Sequence, residues 1–153
     1  MRNVNALLNE YSEGHQNRVN KNIHRVCVPA IVFSLLGILW SLPPFPIKIS
    51  PLVNWATVLI VLSLIYYLFL SWKLAIGMLF SSLFMILILR WIDGFSVSLW
   101  QIAIAIFMVA WVGQFIGHHI EGKRPSFFKD IQFLLIGPVW LLASVYRKIH
   151  LSY

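Results

Sequence analysis

Residues 52–89 read LVNWATVLIVLSLIYYLFL-SWK-LAIGMLFSSLFMILIL, and this stretch decides the fold class. Two apolar runs, 52–70 and 74–89, flank the short polar link Ser71-Trp72-Lys73 and contain no Asp, Glu, Lys or Arg. Each approaches the ~20 residues that cross ~30 Å of hydrocarbon as a helix. In lipid, every backbone N–H and C=O must find its partner inside the segment, which selects helix over an isolated strand. A link this short predicts a tight antiparallel hairpin.

The same pattern extends outward. A run over 26–42 precedes the hairpin and is ended by Pro43, Pro44 and Pro46. Another over 97–117 follows it. A fifth stretch, 131–145, is shorter and carries Gly137-Pro138. Proline removes a helix hydrogen bond, so this stretch reads as re-entrant or interfacial, with a true fifth span as the alternative. The expected fold is all-α: a polytopic membrane helix bundle of four transmembrane helices plus a Gly-Pro-broken C-terminal re-entrant or fifth helix. One integral membrane domain covers 1–153. It comprises a polar N-terminal segment (1–25), four spans (26–117), and a motif segment with a C-terminal apolar helix (118–153). Gly37 and Gly77 read as helix-packing positions.

Composition agrees. Hydrophobic residues make up 59% of the 153 and charged residues 11%, against about 45–50% and about 25% in soluble domains. A small soluble sphere needs far more polar surface, so soluble enzymes, disordered regulators and fibrous proteins are excluded. The single cysteine, Cys27, excludes an intramolecular disulfide, a CxxC zinc site and a cysteine-ligated iron–sulfur cluster. The first 25 residues hold no apolar signal region, so the first span is expected to do the targeting.

Net charge is +7, but the cations punctuate apolar runs instead of forming one patch. That argues for membrane topology and against nucleic acid. With four crossings, Arg2, Arg18, Lys21, Arg25, Lys73, Lys123, Arg124 and Lys129 share one side, and Lys48 and Arg90 lie opposite. The bias puts the richer side in the cytoplasm.

That topology also gathers histidines. His15 and His24 precede the first run, and His118 and His119 end the fourth. An even number of crossings brings all four to one membrane face, while His150 sits in the polar tail. Imidazole is a common ligand for zinc, copper and iron. His118 and Glu121 are three apart and share a helix face, which Gln114 extends. A His-x-x-Glu pair can supply two ligands, or one ligand and an acid/base. His15 and His24 are nine apart, on opposite faces of a straight helix. One shared metal therefore requires a bend between them, where Asn17, Asn20 and Asn22 favour turns and caps. Tyr11 and Asn20, each four before a histidine, are positioned to orient it. Spacing alone leaves two readings open: a shared metal site, or interfacial histidines at headgroup level.

Two segments carry a resemblance. The first is Tyr11-Ser-Glu-Gly-His15-Gln-Asn17-Arg-Val-Asn20-Lys-Asn-Ile23-His24-Arg-Val-Cys-Val-Pro29. The second is Gln114-Phe-Ile-Gly-His118-His-Ile-Glu121-Gly-Lys-Arg-Pro125. Together they resemble the membrane-bound 2-hydroxy fatty acid dioxygenases of α-oxidation, over nearly the whole chain. Gly137-Pro138 falls where that family carries a small residue and Pro. The resemblance implies a dioxygenase dependent on Fe(2+), with O2 as co-substrate. It would cleave a 2-hydroxy fatty acid between C1 and C2 to leave an acid one carbon shorter.

His15, His24, His118 and Glu121 match the family motif, while His119 falls where some members carry Gly. The implied metal set is His15, His24, His118, His119 and Glu121, with His118 and Glu121 also catalytic. A 2-hydroxy acid can chelate iron through its hydroxyl and a carboxylate oxygen, and Arg124, Lys123 or Arg18 can attract that carboxylate. The expected setting is a bacterial cytoplasmic membrane with the metal site on the cytoplasmic face, or the endoplasmic reticulum membrane if eukaryotic. The expected partners are the lipid bilayer, the acid and O2, and a homo-oligomer is compatible with them.

Two rival readings stand beside this one. A di-iron desaturase needs about eight histidines, and five in total cannot fill its boxes. A small metal or solute transporter, or a non-catalytic scaffold, is the remaining alternative. Transporters place ionisable groups near mid-membrane, whereas here the polar groups gather at the ends.

Overall fold

Capping chemistry sets the helix boundaries of the computed structural model, which describes residues 4–43, 53–122 and 127–153. Among these residues the chain forms α1 (Val4–Glu13), α2 (Arg18–Trp40), α3 (Trp55–Leu70), α4 (Trp72–Asp93), α5 (Leu99–Glu121) and α6 (Phe127–Lys148). Asn17 starts α2, its side chain accepting from the Val19 N–H at 2.8 Å. Asn54 and Thr57 start α3 with a reciprocal capping box. Ser71 serves two helices: its N–H bonds the Tyr67 carbonyl at the end of α3, and its hydroxyl accepts from Leu74 in α4. The link expected at residues 71–73 thus shrinks to one residue. Gly122 ends α5 at φ 71°, a left-handed conformation that costs glycine nothing and a side chain much more.

The chain is all-helical, and α2, α4 and α5 are long and apolar enough to cross a membrane. By contrast, α3 is an apolar helix of 16 residues, because its cap at Asn54 starts it later than the apolar run suggested. At 1.5 Å per residue it covers about 24 Å. Gly137-Pro138 does not interrupt α6, which runs unbroken through Pro138. Pro138 withholds one N–H from the carbonyl four residues back, and packing on both flanks holds the helix together.

The N-terminal segment, expected to be polar, contains α1 and the first turns of α2. Leu7, Leu8 and Tyr11 line one face of α1 and are buried against Ile136, Val139 and Trp140 of α6. That core continues into Tyr67, Leu74 and Met78 at the α3–α4 link. A second core, at the opposite end, joins Leu36, Ala56, Leu89 and Leu99 of α2 to α5. Outward faces carry exposed Phe69, Phe80, Phe84, Leu87, Val109 and Phe115. Apolar surface on this scale marks a membrane protein.

The most extensive helix pair is α2 with α5, and small residues set its register. A Cβ on Gly37 would lie 3.0 Å from the Ala103 methyl, and one on Gly113 would lie 2.6 Å from Cys27 Sγ. One on Gly117 would collide with Asn20 Oδ1 and lie 3.5 Å from His24 Cε1. Positions rise along α2 as they fall along α5, so the pair is antiparallel. The start of α2 therefore meets the end of α5, where both histidine motifs lie.

Candidate metal centre

Residues 14–17 break the chain between α1 and α2, and His15 sits in that break. The bend required for His15 and His24 to meet is thus present, with Asn17 as the cap that follows it. His24 lies on the second turn of α2, and His118 on the last turn of α5. Each offers one nitrogen, and the three lie within 4.8 Å of one another. Ring centroids are 4.3 Å apart for His15–His24, 5.1 Å for His24–His118 and 5.6 Å for His15–His118. His15 and His24 are buried and His118 is half-buried.

Backbone carbonyls orient two of the rings. His15 Nδ1 donates to the Tyr11 carbonyl at 2.7 Å, and His24 Nδ1 to the Asn20 carbonyl at 3.0 Å. A proton fixed on Nδ1 leaves the lone pair on Nε2, the tautomer that metal-bound histidines adopt when the other nitrogen bonds a carbonyl. His15 Nε2 is buried and has no hydrogen-bond partner. Burial, reinforced by the charge of His118, lowers the His15 pKa, although the Tyr11 carbonyl acts the other way. The ring is therefore neutral at neutral pH and free to ligate. An orphaned nitrogen, two fixed tautomers and three converging imidazoles fit a first-row metal such as iron, zinc or copper. A metal held by three such side chains would keep positions open, as catalytic metal sites do.

Sequence spacing offers Glu121 as a ligand or an acid/base. In the structure its oxygens accept from the Gln16 N–H at 2.7 Å, the Asn17 N–H at 3.0 Å and Asn20 Nδ2 at 2.9 Å. The carboxylate sits at the N-terminal end of α2, where helix-terminal N–H groups favour negative charge. It ties the His15 loop to the end of α5. His119 is exposed and does not join the three nitrogens.

Tyr11 stacks on His15 at 4.2 Å through its ring, and it is its carbonyl that orients the histidine. Asn20 is fully buried, bonding Glu121 through its side chain and His24 through its carbonyl. Gln114 is buried on the same face of α5, with Oε1 unpartnered. Arg18 is exposed at the start of α2. Lys123 and Arg124 lie outside the described residues.

Sequence reasoning missed Trp140. Its ring lies 5.3 Å from Tyr11 and 6.0 Å from His15, and its Nε1 donates to Ser12 Oγ at 2.8 Å. The signal was its position two residues after Gly137-Pro138. A Cβ on Gly137 would lie 3.1 Å from the Tyr11 hydroxyl, so α1 and α6 approach closely there.

A family model described as "2-hydroxy-palmitic acid dioxygenase Mpo1-like" matches residues 1–149. The chain is also 30% identical over 148 residues to the "2-hydroxy-palmitic acid dioxygenase MPO1" of Saccharomyces cerevisiae, covering 95% of this chain and 81% of that protein. No solved structure matches the chain.

Proposed function

Since the chain belongs to the Mpo1-like family of 2-hydroxy-palmitic acid dioxygenases, we propose that it is a membrane-embedded dioxygenase acting on 2-hydroxy fatty acids. The bond between C1 and C2 is cleaved with O2, and the product is a fatty acid one carbon shorter. With carbon dioxide and water as the other products, atoms and electrons balance without an added reductant. The observation that carries this reading is the convergence of His15, His24 and His118 nitrogens within 4.8 Å.

These three imidazoles are the proposed holders of Fe(2+). Bound there, the ion would supply the redox centre for O2 and open positions for the hydroxyl and carboxylate oxygens of the substrate. The Tyr11 and Asn20 carbonyls keep two ring nitrogens ready to ligate. The Tyr11 ring covers His15 and, with Trp140 beside it, keeps water from that side. Glu121 holds the loop that carries His15, which makes it a positioning residue.

The proposed topology is four crossings, with the metal site and α6 on the cytoplasmic side. Two cores support it. One joins α1 and α6 to the α3–α4 link, and the other joins the far ends of α2–α5. α3 therefore runs from one end of the bundle to the other despite its length. Contacts of α6 with Tyr67, Lys73 and Gly77, all within two turns of that link, support its place at the interface. The membrane is a cytoplasmic membrane or, as in a eukaryotic cell, that of the endoplasmic reticulum.

The test is purified protein reconstituted with ferrous iron and given 2-hydroxypalmitic acid and O2. The expected product is the C15 acid, formed in proportion to O2 consumed. O2 uptake on palmitic acid at a comparable rate would point to hydroxylase or desaturase chemistry. No uptake on any acid, with iron bound, would return a transporter or scaffold.

A further inference from the structure

A cavity of about 400 Å³ lies between α2, α4 and α6, apart from the three histidines. Pro29 and Val32 of α2, Met78 and Met85 of α4, and Leu141 and Val145 of α6 contribute its apolar wall. Two of the three serine hydroxyls on that wall are turned back on their own helices: Ser81 donates to the Gly77 carbonyl at 2.9 Å and Ser144 to the Leu141 carbonyl at 2.6 Å. They add little polarity to the space. Only two lining residues are charged, Arg25 and Lys148, and both are exposed cations. An apolar chamber rimmed by paired cations complements an anion with a hydrocarbon tail.

Size decides between kinds of tail. A methylene occupies roughly the volume of a water molecule in the liquid, about 30 Å³. The space thus has room for at least about a dozen methylenes, enough for one long chain. Its walls run seven residues along α2, from Arg25 to Val32, and seven along α4, from Met78 to Met85. Along α6 the lining runs ten residues, from Pro138 to Lys148, about 15 Å of helix. Pro29 and Pro138 both line it. Their rings add apolar surface to the wall.

We propose that this cavity binds one long-chain carboxylic acid, its hydrocarbon among α2, α4 and α6 and its carboxylate between Arg25 and Lys148. The proposal rests on the dioxygenase reading for the biological identity of the acid. It adds where the chain lies and which cations receive the acid. Arg25 directly follows His24 on α2 but faces α4 and α6 instead of α5, so the acid is held there beside the metal-binding triad before its carboxylate passes to the metal. The sequence reading assigned this role to Arg18, Lys123 and Arg124, and the cavity assigns it to two other cations.

Palmitic acid tests the cavity without testing the reaction, because it lacks the 2-hydroxyl. Metal-free full-length protein in detergent is incubated with palmitic acid, hexadecanol or a diacyl phosphatidylglycerol, and retained ligand is counted by native mass spectrometry. One palmitate per chain is expected, with hexadecanol at least tenfold weaker and the diacyl lipid weaker still. Arg25→Gln with Lys148→Gln should weaken palmitate at least tenfold and leave hexadecanol unchanged. Arg25→Lys, which keeps the charge, should restore most of the affinity. Ser144→Phe, which fills the cavity, should lose C16 binding and keep a C10 acid.

Equal binding of palmitate and hexadecanol, preference for the diacyl lipid, or indifference to both cations would overturn the proposal. So would an absence of palmitate binding to protein whose helical circular dichroism is intact. Iron-loaded turnover on 2-hydroxypalmitic acid then separates the claims. Turnover without palmitate binding removes the cavity and keeps the enzyme, and binding without turnover does the reverse.

Discussion

The two ends of the α2–α5 pair use one packing device for opposite contents. At one end Gly37 lets α2 meet Ala103 and Leu89, and only carbon fills the contact. At the other, Gly113 and Gly117 let α5 meet Cys27, Asn20 and His24. There the space holds two buried histidines, a fully buried asparagine and a buried glutamine. His15 Nε2, Asn20 Oδ1 and Gln114 Oε1 have no hydrogen-bond partner. An unsatisfied buried polar group costs about 1–3 kcal/mol. A helix pair seeking only stability would continue the carbon contact to its end. The polar end departs from that rule, as functional sites do.

The sharpest way to break this contrast is to remove a ligand. His24→Ala or His118→Ala is expected to lower iron binding and turnover more than 100-fold while the helices still insert. Iron content by plasma emission and protease protection of the loops check both halves. His150→Ala should match the parent, since that residue lies in the exposed tail.

Smaller, and more specific to the comparison, is the response to a single methyl. Gly117→Ala drives its Cβ into Asn20 Oδ1 beside His24, and iron affinity should fall at least tenfold. Gly37→Ala meets carbon at 3.0 and 3.2 Å. It should cost about 1–3 kcal/mol of stability by overpacking and leave iron affinity within threefold. Equal effects on metal binding would erase the distinction between the ends.

Next comes the tie between the motifs. Glu121→Gln keeps the shape but replaces an accepting oxygen with a donor that faces the Gln16 and Asn17 N–H groups. Groups that orient ligands typically contribute 10–100-fold to metal affinity, so a loss of about tenfold is expected by iron titration. A loss as large as that of His118→Ala would make Glu121 a ligand.

The smallest effect is with pH. Burial lowers the His15 pKa in the folded chain, so below the unfolded value of about 6.5 the unfolded chain binds the extra proton. Metal-free protein should hold its full stability above about pH 6.5 and lose stability as pH falls below it. His15→Gln should flatten that slope in thermal scans at several pH values.

The sequence makes some of these features legible and hides others for physical reasons. Apolar length alone makes the helical fold legible, because lipid leaves few alternatives. The meeting of His15 and His24 with His118 was the expectation drawn from an even number of crossings, and three histidines converge where four were expected. Helix α1 was hidden because Asn3, Asn5 and Asn9 mask the period of Val4, Leu7, Leu8 and Tyr11. Its stability comes from α6, which no local window contains. Pro138 suggested a break that packing overrides.

The partners of Glu121 are mainly backbone N–H groups, which every residue but proline possesses, so no pattern announces them. The places of Trp140, Arg25 and Lys148 depend on which faces of α2 and α6 meet their neighbours. That is tertiary information. The family resemblance carried the activity, and the structure adds the orienting carbonyls, the tie through Glu121 and the cavity.

The central claim is one metal held by three imidazoles. X-ray absorption at the iron edge of ferrous-reconstituted protein tests it most directly, with iron per chain measured on the same sample. The account predicts about one iron per chain with three histidine nitrogens at about 2.1 Å, and loss of that shell in the His24→Ala protein. Two irons per chain, a sulfur ligand, or an unchanged shell in the His24→Ala protein would contradict it.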